Sequence, residues 1–592
     1  MGDEARPAPA RSGLPLILLS AVVQGWALYG LHRAIEDHRW PATNQAWLIA
    51  LYALAVFVPT TLQLLAEHSR EAGFRRVVAA FAISYFYFGW HYGARVSPAE
   101  AIPMDGPRYF SLALLLTVLW LLALPFAQGR LATGSWTTRY RLLFTNGWRN
   151  QLMLAEAALF TGLFWLLLFL WQTLFHMLGI DYFRELFKEP VFIYPVTSLT
   201  FGCALHLIGS IDRLTSVVLE QILSVLKWLA ILAGVILVFF TVALVFKLPG
   251  LLFTGSRAIG ATWLLWLIAV IVLLLNAAYR DGSATDPYPK WVARFLKGMV
   301  PLTVIIAATA LYALGVRTQH YGLTVERVWA FVVAGAALCY SIGYSISAFG
   351  TGAWLGGIAR VNVAVALALI VVISAALTPA LSPYRLAANS QARLVQEKGV
   401  DAGEDNARER FPYGRNSIHY LRFDTGDYGR AKLRALAQLQ SGPHAEEIRR
   451  EATAVLAQTN PWERLPRADV RAGVSKLRVY PNGRTLDPAL IGALAADFHD
   501  SPNDAAGIFI DLNGDGTDEF VVLGTYTGLL YQHDAGRWVL AGHMIPRAGG
   551  MSRADFERRV IGELAVGHVS TAPSKWNELS IGDVKLRVNP ND

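Results

Sequence analysis

The chain has 592 residues, 54% of them apolar and only 16% charged, against roughly 25% charged in soluble domains. The net charge of +8 is unevenly spread: residues 1–382 hold 26 Lys and Arg against 17 Asp and Glu, which leaves −1 for residues 383–592. The excess basic residues lie in loops between apolar runs, so nucleic acid is excluded as the expected partner. Two cysteines, Cys203 and Cys339, both inside apolar runs, leave no disulfide framework and no Cys-based metal site. Both are expected as small core hydrophobes.

The first segment is rich in Pro and Ala and carries Arg6 and Arg11. The apolar run after it, Leu14–Leu31, contains Gln24 and Trp26 and has no clear small-residue cleavage site. It therefore reads as a first span that is retained rather than a signal peptide. A bilayer core needs about 20 mostly apolar residues in a helix. Eleven stretches meet that need: 14–31, 46–66, 77–93, 109–128, 152–178, 191–209, 222–246, 258–279, 295–316, 327–348 and 360–381. The weakest is 191–209, which holds Pro195, Thr197, Ser198, Thr200 and His206.

Orientation follows from Lys and Arg in the short loops. An inside N-terminus puts 15 basic residues inside and 10 outside. The bias is carried mainly by Arg70, Arg75 and Arg76, by Arg130, Arg139, Arg141 and Arg149, and by Arg280, Lys290, Arg294 and Lys297. An odd number of spans then places the C-terminal domain outside the cytoplasm. The expected fold is an α-helical polytopic membrane domain over residues 1–382, followed by a soluble α+β domain over 383–592.

Within the membrane part, ionisable residues are functional candidates because burying them in lipid costs a few kcal/mol. Glu156 is about a turn into its span, His176 closes that span, and His206 ends the next. These three form a candidate intramembrane polar site for a proton or ion path. Pairing of Glu156 with Arg149 is the structural alternative. Lys227, Asn276, Asn362 and His91 are further polar residues within or beside spans.

In the tail, Leu433, Leu436 and Leu439, then Ile448, Ala452, Val455 and Leu456, recur at helical spacing. Asp487-Pro488 is a helix start, with Asp as N-cap. Strands are expected at Leu477–Tyr480, Ile508–Leu512, Phe520–Leu523, Leu529–Gln532 and Trp538–Ala541, then a helix near Ala554–Leu564 and a strand near Val584–Val588. Residues 511–519 read D-L-N-G-D-G-T-D-E. Hard cations take six to eight oxygens, and alternate loop positions supply them. Asp511, Asn513 and Asp515, the Thr517 carbonyl and Glu519 make an oxygen set suited to Ca2+ in a structural role. Val522 stands where an EF-hand has its bidentate Glu, and the flanks are strand-like. The segment resembles the calcium loop of FG-GAP repeats, over about 25 residues and in a single copy, which is too little for a propeller.

Three further segments carry a wider resemblance. They are Asn276-Ala277-Ala278-Tyr279-Arg280-Asp281-Gly282; Arg317 with Tyr321-Gly322-Leu323-Thr324 and Arg327; and Pro383 through Ser390-Gln391 and Arg393-Leu394 to Phe423-Asp424 and Tyr428-Gly429. In pattern and order they resemble the bacterial membrane family known as domain of unknown function 4153, over roughly residues 140–440. The resemblance implies a bacterial inner-membrane protein with a periplasmic tail and implies no activity.

No nucleotide-binding loop, nucleophile elbow, zinc spacing or kinase signature is present. Asp181, Glu185 and Glu189 are the only acidic group expected at an outer face, and their spacing suits a solvated helix. The leading expectation is a non-enzymatic inner-membrane protein. Its periplasmic calcium-binding domain would contact another envelope protein or have a sensory role. A transporter or channel for an ion or small solute is the alternative.

Overall fold

The computed structural model describes the chain from Gly13 onward, except for residues 97–105, 137–138, 211, 254–259, 283–286, 351–353, 401, 403–415, 459–473, 475–476, 482, 498–504, 525–527, 535, 545–559, 567–568, 570–578, 582–583 and 587–592. The chain divides into two compact units, Met1–Pro461 and Trp462–Asp592.

The first unit is helical. In chain order it contains α1 (Leu14–Glu36), α2 (Gln45–Leu64), α3 (Phe74–Arg95), α4 (Gly106–Thr133), α5 (Tyr140–Met177), α6 (Tyr182–Leu186), α7 (Pro190–Gly209), α8 (Asp212–Phe253), α9 (Ala261–Tyr279), α10 (Lys290–Met299), α11 (Leu302–Tyr321), α12 (Val325–Phe349) and α13 (Ile358–Ala376). Four shorter helices follow: α14 (Pro383–Lys398), α15 (Ser417–Phe423), α16 (Gly426–Ala437) and α17 (Ala445–Ala457). Among the described residues, ten helices are long and apolar enough to cross a membrane.

The outward faces of these helices carry the apolar load. On α5, ten large apolar side chains from Leu159 to Met177 are exposed. Leaving each in water forgoes about 1.5–3 kcal/mol, or roughly 15–30 kcal/mol for one helix face. That exceeds the roughly 5–15 kcal/mol by which domains are stable, so the face is consistent with a lipid-exposed surface. Cys203 and Cys339, expected in the core, lie on exposed faces of α7 and α12. The correction has a simple reason: a small apolar side chain is as well placed against lipid as against protein.

α3 falls outside the ten because Arg75, Arg76, Tyr85, Trp90 and His91 lower its hydropathy. It nevertheless lies along α2. A Cβ on Gly89 would come within 2.8 Å of Ala50 Cα, and one on Gly93 within 2.4 Å of Gln45 O. Only glycine permits backbones this close, as in small-residue helix pairs within membranes. The rings of Tyr85 and Phe57 meet further along, at 4.7 Å.

Contacts between connections sort to two ends. At one end, which holds most of the basic loops, Arg149 pairs with Glu67 at 3.3 Å and Arg141 with Asp281 at 3.0 Å. At the other end, the Gln391 amide donates to Tyr321 O and Leu323 O, and Gly426 lies against the carbonyls of Arg95 and Val96. α14 to α17 form a cap over that second end. The span expected over 295–316 falls within one candidate span, Lys290–Tyr321, which is interrupted at Val300-Pro301. α10 buries Val292, Leu296 and Met299, and the long helix α11 begins only after Pro301.

The second unit is α+β. β1 (Arg478–Tyr480) pairs in parallel with β2 (Ala505–Ile510), and β3 (Glu519–Gly524), β4 (Gly528–Asp534) and β5 (Arg537–Met544) continue as an antiparallel meander. Helix α18 (Pro488–Asp497) packs Leu490 and Leu494 against Phe520, Val522, Leu529 and Tyr531. Asp487 caps it as expected, accepting from Leu490 N at 2.7 Å. A short helix α19 (Gly562–Ala565) and the hairpin β6 (Leu579–Ile581) and β7 (Val584–Leu586) end the described chain. Residues 554–559, expected to begin the last helix, lie outside the described residues.

Candidate functional sites

The 511–519 loop joins β2 to β3, so two paired strands hold its ends. Asp511 accepts from Gly514 N at 2.7 Å and Gly516 N at 2.9 Å. Asn513 Oδ1 accepts from Asp515 N at 2.8 Å, and Asp515 Oδ1 accepts from Thr517 N at 2.7 Å. Gly514 and Gly516 have φ of 78° and 85°, the left-handed turns that bring these donors inward. The Thr517 N–H and the Asn513 side chain hold the Asp515 carboxyl below the usual aspartate range. Glu519 is buried and accepts from Leu512 N at 2.7 Å. Thus the acidic oxygens are engaged by the loop's own N–H groups. Among the described residues, no three His, Cys, Asp or Glu side chains gather closely enough to hold a metal ion.

The three intramembrane candidates separate. His176 sits at the end of α5, where Nδ1 meets Asp181 Oδ1 at 2.5 Å on the exposed surface. Twenty residues of helix place it about 30 Å from Glu156. Glu156 and His206 are closer in level. α5 and α7 run antiparallel, with Trp165 Nε1 donating to Thr197 at 3.0 Å and Met153 lying against Gly209, and the same register brings 156 level with 206. Neither side chain makes a hydrogen bond among the described residues. Arg149, the expected alternative partner of Glu156, is taken by Glu67.

A different polar cluster is assembled inside the bundle. Asn276 near the end of α9 and Asn362 near the start of α13 meet Tyr140 of α5 and Tyr344 of α12. Asn362 Nδ2 donates to Asn276 Oδ1 at 2.5 Å and to Tyr140 Oη at 2.9 Å. Tyr344 Oη donates to Asn362 Oδ1 at 2.6 Å and accepts from Asn276 Nδ2 at 2.7 Å. Every polar atom of both amides is used, and Tyr344 is among the largest fully buried side chains. Such a closed network fastens helices and leaves no group for a ligand. The two asparagines were visible as polar residues in apolar runs; the tyrosines carried no such signal.

The cap is fastened in a similar way. His91 is buried, with Nδ1 2.8 Å from Leu377 O and Nε2 3.0 Å from Tyr428 Oη. The carbonyl can only accept, which assigns the proton to Nδ1 and makes Nε2 an acceptor from the phenol. Burial pushes the Tyr428 phenol up, which keeps it a donor. Arg108 donates to Phe423 O and pairs with Asp424 at 3.3 Å. Ser390 Oγ accepts from Leu323 N at 2.8 Å, Tyr420 Oη accepts from Val325 N at 3.0 Å, and Ser417 Oγ donates to Gln391 Oε1 at 2.6 Å. Gln391, Ser390, Leu323, Phe423, Asp424 and Tyr428 are thus residues of the seam.

Comparison with protein-family models, curated proteins and solved structures finds no match to this chain.

Proposed function

We propose that the chain is a non-enzymatic, multi-pass inner-membrane protein that holds a folded α+β unit in the periplasm for contact with another envelope component. The reading rests on the sorting of loop contacts to two ends. That sorting follows if α3 crosses together with α2, making eleven passes. The N-terminus is then cytoplasmic and the cap and C-terminal unit are periplasmic. The 15-to-10 excess of basic residues toward the inner end agrees in sign. The resemblance to the membrane family of unknown function points the same way. The 511–519 loop is proposed to hold a structural Ca2+, on the strength of its oxygen pattern and left-handed glycines. The calcium-rich side of the envelope is where such a loop would be loaded.

One set of measurements tests both parts. In a Cys203→Ser, Cys339→Ser background, single cysteines at His38, Glu71 and Asp534 are labelled in cells with a membrane-impermeant maleimide. His38→Cys and Asp534→Cys should label from outside and Glu71→Cys should not. Labelling of His38→Cys without labelling of Asp534→Cys would leave an even number of passes and remove α3 as a span. Thermal melting of the purified full chain with millimolar calcium should raise the transition of the C-terminal unit. An equal shift in Asp515→Ala would sink the calcium assignment.

A further inference from the structure

Beside the cap seam lies a half-open cavity of about 630 Å3 whose lining includes Asn44, Trp47, Trp90, Ala94, Asp427 and Arg430. Its walls come from the start of α2, the end of α3 and the first turns of α16. Arg430 is mostly buried, with a side chain 17% exposed. One guanidinium nitrogen pairs with Asp427 Oδ1, while Nε is buried with no hydrogen-bond partner among the described residues. A buried donor left unmade is costly, so this N–H is a place where an acceptor belongs. Asp427 has the opposite demand: it is 39% exposed, and its second carboxylate oxygen is not engaged among the described residues. Trp47 and Trp90 are 40% and 41% exposed, and Trp47 stacks edge-on against Phe86 at 5.6 Å and near Trp40 at 6.0 Å.

The cavity therefore offers an acceptor-seeking cation and an available anion a short helical turn apart, with two indoles beside them. An indole face attracts a cation and also sits well at the level of lipid headgroups. Below the cavity, Ile83, Phe86 and Tyr87 continue an apolar strip along α3, of which Ile83 is 70% exposed. We infer that this cavity binds the headgroup of a zwitterionic phosphoethanolamine lipid of the outer leaflet. The phosphate would lie at Arg430, the ammonium at Asp427 and the indoles, and the acyl chains along α3. The inference rests on the membrane reading above, since it needs this end of α2 and α3 at a bilayer surface.

Native mass spectrometry of the full chain, released from nanodiscs of mixed phosphatidylethanolamine and phosphatidylglycerol, tests the idea. The wild type should retain phosphatidylethanolamine preferentially. Arg430→Gln should lose about ten-fold of that retention, the size of one charge-assisted hydrogen bond. Asp427→Asn should lose the preference over phosphatidylglycerol while keeping some lipid. Ala94→Phe fills the cavity and leaves the ion pair in place, so it should also lose the lipid; it carries the test if Arg430→Gln does not fold. Equal retention in wild type and Ala94→Phe, or a wild-type preference for phosphatidylglycerol, overturns the site. Cysteine labelling in cells, as above, separates this failure from a failure of the membrane topology.

Discussion

The two ends of the helical bundle treat polar side chains differently. At the end opposite the cap, Asn276, Asn362, Tyr140 and Tyr344 close on one another and every amide atom is satisfied. At the cap end, a buried Arg430 Nε and an Asp427 oxygen beside a cavity have no hydrogen-bond partner among the described residues. A closed network spends its hydrogen bonds on geometry; an open one retains some for a ligand. Satisfaction, more than polarity itself, separates a fastening from a candidate site.

That contrast can be broken by mutation. The largest effect is expected for Asn362→Ala, which removes three hydrogen bonds and strands Tyr140, Tyr344 and Asn276 away from water. The loss should be about 2–4 kcal/mol, at the upper end for polar contacts in membranes, and read as a lower melting temperature in detergent. An unchanged melt would mean that the asparagine–tyrosine cluster is not a fastening. Next comes Gly93→Ala, whose Cβ would press 2.4 Å from Gln45 O. Forcing α2 and α3 apart should cost about 1–3 kcal/mol, again by melting, and should also reshape the neighbouring cavity.

The smallest effect belongs to the other unit. Burial works against the Asp487 charge, but the N–H groups of Leu490, Trp538 and Ala489 together hold its carboxyl below the usual aspartate range. A depressed folded-state carboxyl adds stability that is present above the unfolded pKa. It is lost as pH falls through the depressed folded value. Acid unfolding followed by tryptophan fluorescence should show this loss in wild type and a flatter profile in Asp487→Asn. Asp487→Ala should cost about 1 kcal/mol as a lost helix cap at neutral pH. No difference between the two acid profiles would place the pH sensitivity elsewhere.

Much of the secondary structure was legible because its signals are local. Each of the eleven apolar stretches coincides with a long helix, and Asp487-Pro488 starts a helix as its chemistry suggests. The strands around 511–519 also fall where alternating and β-branched residues indicated, with β2 beginning earlier, at Ala505. The break at Pro301 was harder to see, because hydropathy averages across it while proline withholds one backbone N–H at a single position. The Glu156, His176 and His206 grouping failed in part for a geometric reason: His176 shares a helix with Glu156, and twenty residues of helix cannot fold back.

By itself, then, the chain's apolar periodicity and charge placement determined which segments are helices, which connections are basic, and where the 511–519 turn lies. These depend on near neighbours and on transfer out of water, both written into the residues. Tertiary structure alone decided which polar residues meet: Asn276 with Asn362 across 86 positions, His91 with Tyr428 across 337, and Arg430 with a cavity walled by α2 and α3. A hydrogen bond needs a partner within about 3 Å, and only the packed chain sets which distant residue arrives there.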